Sequence, residues 1–393
     1  MFIRLPGKLK EELKTINVVV TGGGTGGHVY PATAVADTLL EDLDIERVIY
    51  IGCPDSLEEK VASERNLDFL PIRISGMPRK FSFNFLKWLY QLNKAVLDAL
   101  GYLLYTKPDV IFATGGYVSG PVLIAAFILD IPYVIHEGDT HPGIVNKAMS
   151  KWASYVSVAF EQAKHLLNGK DIKVLGNPLR SSIGEYTRGE AAIFLDIDPE
   201  KKTLLVLGGS QGAKKINDAV IEALPALLTK YDLQIIHQCG EKNYDEIKAN
   251  LSREIIENHS YIIKGYFEDL AIPLACADFA ISRAGSMSLS ELMASRVPAI
   301  LVPYPFAAAD HQRNNAKYIV DEGAALYLEN DDCNAENIIF NCEMLLKSSD
   351  KLDFMRLACN RLARKTAAVD IVKLIKKAGK IQSVETAKQT EDN

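Results

Sequence analysis

A glycine-rich segment near the start of the chain limits what this protein can fold into more than any other stretch. Residues 18–20 predict a short buried strand, residues 22–27 hold five glycines, and a helix is predicted over 32–40 with Pro31 in its first turn. Glycine lets a backbone turn sharply and approach a ligand closely. A strand, a glycine loop and a helix start together aim backbone N–H groups at one point, which favours a phosphate.

The same segment also fits the dinucleotide fingerprint, because residues 22–27 follow the spacing Gly-x-Gly-x-x-Gly. A nicotinamide-dependent oxidoreductase therefore stays open as an interpretation, although the acid expected after the second strand is represented only by the displaced Asp55. A second strand and glycine loop, at 203–207 and 208–213, repeat the pattern later in the chain. The repetition predicts two nucleotide-type domains.

Composition narrows the class of protein. The chain of 393 residues carries a net charge of −6, which argues against nucleic acid as its main partner. Its six cysteines form no CxxC pair, so we expect reduced thiols. The acidic pair at 196 and 198 is interpreted as a solvated turn, so we expect no metal, and we expect no cofactor. No apolar run reaches the roughly 18 residues of a spanning helix, and we expect a cytoplasmic protein.

Strands and helices alternate along the whole chain, which predicts parallel sheets covered by helices. We expect one domain over residues 1–177, opened by a short helix or arm over 1–15, and a second over 178–364. The segment Gly176-Asn177-Pro178-Leu179-Arg180 is interpreted as the hinge between them. A final amphipathic helix near 365–380 is expected to pack back on the first domain.

The segment from Met77 to Tyr90 is rich in aromatic and basic residues. Its apolar residues from Phe85 onward keep helical spacing, so one interpretation is a stripe that faces the core. The other is an interfacial surface, with aromatic rings among lipid headgroups and cations on anionic lipid. The stripe consists of Phe85, Trp88, Leu89, Leu92 and Val96.

Four side chains are candidates for acid–base catalysis or sugar recognition. His28 lies at the glycine loop, where a neutral imidazole can take a proton near pH 7 or simply hydrogen-bond at the helix start. Glu137, after a predicted strand, is a lesser catalytic candidate together with His136. Glu291 follows a run of small residues one turn into a helix, where a carboxylate can accept hydrogen bonds from two ribose hydroxyls.

Taken together and in order, several segments resemble those of the MurG family, which lies within glycosyltransferase family 28. They are the loops at 23–28, 114–117 and 208–213 and the segments 136–137, 142–146, 176–178, 282–291 and 310–312. The resemblance implies a GT-B fold, with two Rossmann-like α/β domains whose parallel sheets face a central cleft. It also implies a hexosyltransferase of peptidoglycan synthesis. Such an enzyme moves N-acetylglucosamine (GlcNAc) from UDP-GlcNAc to the C4 hydroxyl of N-acetylmuramic acid (MurNAc) in undecaprenyl-pyrophosphoryl-MurNAc-pentapeptide, with inversion.

The resemblance carries site residues over by position. The donor site would be lined by Thr25, Gly26, Gly27, Asn146, Arg180, Ser210, Phe267, Met287, Ser288, Glu291 and Gln312. The acceptor would meet Gly24, Thr114, Gly115, Gly116 and Tyr117. The chain departs from the family where Gly138-Asp139 replaces the common Gln-Asn and where Phe267 replaces an aliphatic residue.

The aromatic and basic residues of segment 77–90 lead us to expect a peripheral position on the inner face of the cell membrane, reached through that segment. A related glycosyltransferase that acts on a diacylglycerol lipid remains the nearer alternative.

Overall fold

A computed structural model describes residues 15–78, 83–209, 211–307 and 310–391, with side chains as far as Lys380. The chain divides into two units. The first comprises Met1–Gly138, Pro142–Pro178 and Thr366–Asn393, and the second comprises Asp139–His141 and Leu179–Lys365. The helix or arm predicted over 1–15 lies outside the described residues, apart from Thr15.

The first unit is built on a parallel sheet of seven strands in the order β3-β2-β1-β4-β5-β6-β7. Its strands are β1 (Ile16–Thr21), β2 (Ile45–Gly52), β3 (Asp68–Pro71), β4 (Val110–Ala113), β5 (Tyr133–Glu137), β6 (Tyr155–Val158) and β7 (Ile172–Val174). Val18 pairs with Val48 on one side and Val110 on the other. Strands covered on both faces read as continuous apolar runs, which is why the sequence reveals them.

Among the described residues, α-helices follow most of these strands along the chain. They are α1 (Gly26–Leu40), α2 (Leu57–Glu64), α3 (Phe83–Thr106), α4 (Gly116–Ile128), α5 (Ile144–Met149) and α6 (Glu161–Lys164). Pro31 was expected in the first turn of its helix, and that expectation is wrong, because Thr25 is the N-cap and α1 begins at Gly26. Two glycines of the loop thus join the helix, and Pro31 lies buried in its second turn.

The second unit is built on a parallel sheet of six strands in the order β10-β9-β8-β11-β12-β13. Its strands are β8 (Thr203–Leu207), β9 (Gln234–Gln238), β10 (Tyr261–Lys264), β11 (Phe279–Ser282), β12 (Ala299–Leu301) and β13 (Ala325–Tyr327). The helices are α7 (Arg188–Leu195), α8 (Lys214–Thr229), α9 (Glu241–Asn250), α10 (Arg253–Ile256), α11 (Ala271–Cys276), α12 (Ser286–Ala294), α13 (His311–Asp321), α14 (Ala335–Leu346) and α15 (Ser349–Leu362). The prediction of two parallel α/β units is confirmed.

The last helix, α16 (Ala367–Glu391), belongs to the first unit. Ile371 and Ile375 are buried in the same core as Val18. Lys376 places its ammonium 2.8 Å from both Asp42 and Asp44, at the end of α1 and the start of β2. These contacts fasten α16 to the sheet of the first unit.

The start of α3 corrects part of the sequence analysis. Residues 79–82 of the aromatic and basic segment, among them Phe81, lie outside the described residues. The core-facing interpretation places Leu89 in a buried stripe, but Leu89 is exposed, and the side chains that α3 buries are Ala95, Ala99 and Leu103. The helix therefore packs on the unit through small residues in its second half and leaves its first turns less covered. No described helix is long and apolar enough to span a bilayer.

Candidate functional site

The first glycine loop forms the start of α1. Gly24 has a φ of +87°, and a Cβ added there would lie only 2.5 Å from the ring of Tyr117. The N-cap Thr25 is extended, and the first turn of α1 contains no acidic residue. The first turn of α1 therefore offers backbone N–H groups that have no partner within the helix, together with the positive end of the helix dipole. Because that turn carries no carboxylate, it suits an anion.

The second glycine loop, between β4 and α4, interlocks with the first. Gly115 and Gly116 have φ values of +95° and +78°. A Cβ on Gly116 would overlap the carbonyl oxygen of Gly23, and a Cβ on Gly22 would overlap the hydroxyl of Thr114. The two loops can lie this close only because these positions are glycine.

His28 joins the two loops through a reciprocal pair of hydrogen bonds with Thr114. The Nδ1 atom of His28 lies 2.9 Å from the carbonyl oxygen of Thr114, and the Thr114 hydroxyl donates to the His28 carbonyl at 2.7 Å. A carbonyl oxygen only accepts, so this bond assigns the proton to Nδ1. In the neutral ring, Nε2 is then the nitrogen that can accept a proton.

Glu137 and Asn146 form a buried cluster beside the second loop. The Oε2 atom of Glu137 accepts from the Gly143 amide at 3.0 Å and from Asn146 Nδ2 at 2.9 Å. Asn146 also donates to the carbonyl of His136 at 3.0 Å. The Oδ1 atom of Asn146 faces Gly115 and has no hydrogen-bond partner among the described residues. Glu137 thus fixes the start of α5 against the end of β5.

His136 is held from both sides of its ring. Its Nε2 atom lies 2.9 Å from Asn177 Oδ1, and its Nδ1 atom lies 3.2 Å from the hydroxyl of Ser157. Asn177, predicted as part of a hinge, also donates to the carbonyl of Gly138 at 3.3 Å. The side chain of His136 is buried, and these bonds give it a clear structural role.

In the second unit, the third glycine loop follows β8. Gly209 and Gly212 have φ values of +79° and +75°, and a Cβ on Gly212 would overlap the carbonyl of Cys239. Gln238 donates to the Gly209 carbonyl at 3.4 Å and accepts from the Phe267 amide at 3.0 Å. Gln238 thereby fixes the loop relative to Phe267, whose ring is buried. Ser210, predicted for the donor site, lies outside the described residues.

Gln312 is oriented by two backbone amides. Its Oε1 atom accepts from Ala284 at 3.2 Å and from Tyr304 at 3.0 Å. These bonds leave the NH₂ group as the donor end of the side chain. Arg283 supports the same loop by donating to the carbonyls of Val302 and Pro303 at 2.9 and 3.1 Å.

Glu291 lies on α12, with Met287 and Ser288 half-buried in the first turn. Its side chain is only 6% exposed, and burial raises its pKa to about 7, although the positive charge of Arg180 acts in the opposite direction. Arg180 itself donates to the carbonyl of Glu268 at 2.8 Å. A buried carboxyl group whose pKa lies near neutrality is typical of a functional site.

The departure from the family at Asp139 has a structural counterpart. Residues 139–141 belong to the second unit, where Asn315 donates to Asp139 at 2.9 Å and accepts from the Thr140 hydroxyl at 2.8 Å. Asp139 Oδ2 also lies 3.3 Å from His311 Nδ1. This replacement is thus bonded to α13, the helix that carries Gln312.

The candidate residues therefore fall into two sets. The first unit brings together Gly24, Thr25, Gly26, Gly27, His28, Thr114, Gly115, Gly116, Tyr117, Glu137 and Asn146. The second holds Arg180, Phe267, Met287, Ser288, Glu291 and Gln312. Sequence reasoning missed Gln238, which no motif marks. Within the described ranges, no group of three or more His, Cys, Asp or Glu side chains is placed to hold a metal ion.

Comparisons with known proteins extend over 92% of the chain. In a crystal structure of Acinetobacter baumannii MurG, the protein is 29% identical, with a TM-score of 0.72 over 92% of this chain and 99% of that one. A putative UDP-N-acetylglucosamine 2-epimerase from Listeria monocytogenes, 16% identical with a TM-score of 0.67, shares the fold.

Curated relatives share more sequence. Proteins from Natranaerobius thermophilus and Desulforamulus reducens are 36% and 37% identical over 92% of this chain and 99% and 98% of their own. Each is named UDP-N-acetylglucosamine–N-acetylmuramyl-(pentapeptide) pyrophosphoryl-undecaprenol N-acetylglucosamine transferase. The glycosyltransferase family 28 N-terminal domain matches residues 18–158, and the C-terminal domain of that family matches residues 203–375. With both domains matched in order, the chain belongs to glycosyltransferase family 28.

Proposed function

We propose that this protein transfers GlcNAc from UDP-GlcNAc to the C4 hydroxyl of MurNAc in undecaprenyl-pyrophosphoryl-MurNAc-pentapeptide, with inversion at the transferred carbon. The observation that carries the proposal is identity of 36–37% over 92% of the chain to relatives named for this transfer. The protein is thus a hexosyltransferase of peptidoglycan synthesis. The nicotinamide alternative has no comparable support, because β2 is followed by Cys53 and not by an acid.

We assign the acceptor to the first unit. The two interlocked glycine loops offer backbone N–H groups and the start of α1 to an anion, and the diphosphate of a lipid carrier has the right charge. Gly24, Thr114, Gly115, Gly116 and Tyr117 would then contact the acceptor. Thr25, Gly26, Gly27 and Asn146 would contact the transferred sugar.

We assign the nucleotide donor to the second unit. The third glycine loop and the start of α12 offer N–H groups to the UDP diphosphate, and Glu291 would accept from the ribose hydroxyls. Gln312 would donate to the sugar through its NH₂ group. Arg180, Ser210, Phe267, Met287 and Ser288 would complete this set.

The transfer proposed is a single displacement. The O4 oxygen of MurNAc forms a bond to C1 of GlcNAc while the bond from C1 to the UDP oxygen breaks. The O4 proton passes to His28 Nε2, and the negative charge remains on the departing UDP. Arg180 and the start of α12 stabilise that charge, which is the largest electrostatic demand of the step.

Donor binding should depend on pH through Glu291. The pKa of about 7 means that a proton competes with the ribose hydroxyls below neutrality. We expect the affinity for UDP to fall as the pH drops through 7, by about tenfold in all, because the protonated carboxyl then resembles the amide of a glutamine. Glu291→Gln should weaken UDP binding about tenfold at pH 8 and should flatten this dependence. Calorimetry from pH 5.5 to 8 measures both, and an equally steep dependence in the variant would contradict the assignment.

We further propose that the protein is cytoplasmic and binds the inner face of the cell membrane through residues 77–90. In support, Phe83 is 81% exposed, and Leu86, Leu89 and Tyr90 are also exposed around Lys87. Such a surface matches an interface where apolar side chains enter the headgroup region and a cation stays on anionic lipid.

Replacing the exposed apolar residues should release the protein from vesicles. Phe83→Ser with Leu86→Ser should reduce cosedimentation with anionic vesicles about tenfold or more, because two large apolar side chains no longer enter the lipid. The matched control is Leu104→Ser with Tyr105→Ser, at the other end of α3, where both side chains are likewise exposed. Equal cosedimentation of both double variants would refute this membrane surface.

The experiment that tests the transfer itself supplies radiolabelled UDP-GlcNAc with one of two lipids. With undecaprenyl-pyrophosphoryl-MurNAc-pentapeptide, we expect a labelled disaccharide lipid. With diacylglycerol we expect none, and label transfer only to diacylglycerol would replace the proposal by the alternative acceptor.

A further inference from the structure

Glu58 is a buried carboxylate that none of the proposed chemistry uses. It is the second residue of α2, and the residue is only 2% exposed. Its carboxyl group packs directly against Gly23 of the first glycine loop, and a Cβ on Gly52 would lie 2.8 Å from its Cγ. Two glycines, at the ends of β1 and β2, thus make room for this one side chain.

Few neighbouring groups stabilise the negative charge of Glu58. Its Oε1 atom has no hydrogen-bond partner within the described part of the chain, and no described lysine or arginine forms an ion pair with it. The groups that face it are Tyr50, Cys53 and Tyr117. Burial is the main cause of the raised pKa of each, and the negative charge of Glu58 adds to it.

Such a group is costly to keep. A buried polar atom without a partner destabilises the fold, whereas an uncharged side chain of equal size would pack in the same space. Because the buried charge does not stabilise the fold, we look for its role in the glycine loop that it contacts.

We propose that Glu58 limits the affinity of the first glycine loop for the acceptor diphosphate, by placing a negative charge behind the loop that binds it. The inference rests on the proposed function, in which this loop holds the lipid-linked diphosphate. Like charges repel across the poorly polarisable protein that separates them. The lipid product carries the same diphosphate as the acceptor, so the repulsion also speeds product release.

Neutralising the charge without changing the shape tests the proposal. We expect Glu58→Gln to lower the KM for the acceptor, and the inhibition constant of inorganic pyrophosphate competing with it, about five- to tenfold at pH 8. The KM for UDP-GlcNAc should stay unchanged, and Glu64→Gln, on an exposed part of the same helix, should match the wild type.

A merely structural role predicts the opposite sign. If Glu58 only supported the loop, the Gln variant would raise the acceptor KM and lower the melting temperature. We expect its melting temperature to rise by about 2 °C or more, because a buried charge without a partner is removed. An acceptor KM that is unchanged or higher in Glu58→Gln overturns the inference.

Pyrophosphate separates this inference from the proposed function. Measured at saturating UDP-GlcNAc, pyrophosphate should compete with the lipid acceptor in the wild type. Absence of competition in both proteins would refute the assignment of the diphosphate to this loop, and the inference with it. Equal competition in both would keep the assignment and refute the role of Glu58 alone.

Discussion

His28→Ala should reduce turnover about 100-fold or more with both substrates saturating, because the acceptor hydroxyl loses the group that takes its proton. The geometry that supports this expectation is the bond from Nδ1 to the Thr114 carbonyl at 2.9 Å, which leaves Nε2 as the basic nitrogen. The measurement is the rate of labelled disaccharide formation. His165→Ala, an exposed histidine of the same unit, is the matched control and should keep full activity.

A second variant distinguishes the base from a hydrogen-bonding role at the helix start. The amide nitrogen of asparagine can take the place of Nδ1 and donate to Thr114, but asparagine has no counterpart of Nε2. If His28 is the base, His28→Asn should be as slow as His28→Ala. Near-normal turnover of His28→Asn would show that the bond to Thr114 is what the reaction needs.

Strands and loops that have a clear local sequence pattern could be predicted from the sequence. Apolar strands such as β1 and β8 are covered on both faces and therefore read as unbroken runs. The glycine loops were visible because glycine alone fits positions such as Gly24 and Gly212, where φ is positive. These local signals were sufficient for the two-sheet fold and for most of the candidate loops.

Properties that depend on distant packing could not be predicted. The sequence showed Glu291 only as a carboxylate one turn into a helix, whereas its pKa of about 7 arises from burial, which the helical position does not reveal. Glu58 carried no signal at all, because the feature that distinguishes it is its contact with Gly23. Leu89 kept the helical spacing of a core residue, yet it is exposed, and the residues that α3 buries lie further along the helix.

Gly116→Ala should have the largest effect of any single-methyl addition to the first unit. The new Cβ would overlap the carbonyl oxygen of Gly23, and the φ of +78° is unfavourable for any L-residue with a side chain. A backbone carbonyl cannot rotate away as a side chain can, so one of the two loops must move. We expect a loss of stability of roughly 2 kcal/mol or more.

The same movement should remove activity. A displacement of about 1 Å in a positioning loop can cost about 100-fold in rate. Because a Cβ on Gly116 would also lie 3.1 Å from the His28 ring, the displaced loop would disturb the candidate base. We therefore expect Gly116→Ala to lower turnover about 100-fold or more, measured by the same disaccharide assay, even at temperatures where circular dichroism shows it folded.

Gly101→Ala separates this effect from the general cost of adding a methyl group. Gly101 lies inside α3, where a new Cβ would meet nothing within 4 Å. Alanine at such a helical position should stabilise the protein by about 0.4–1 kcal/mol and leave turnover unchanged. If the two variants behaved alike, the interlocking of the glycine loops would not be what holds His28 in place. Opposite shifts in unfolding free energy, with activity lost only in Gly116→Ala, would tie the geometry of the two loops directly to the transfer.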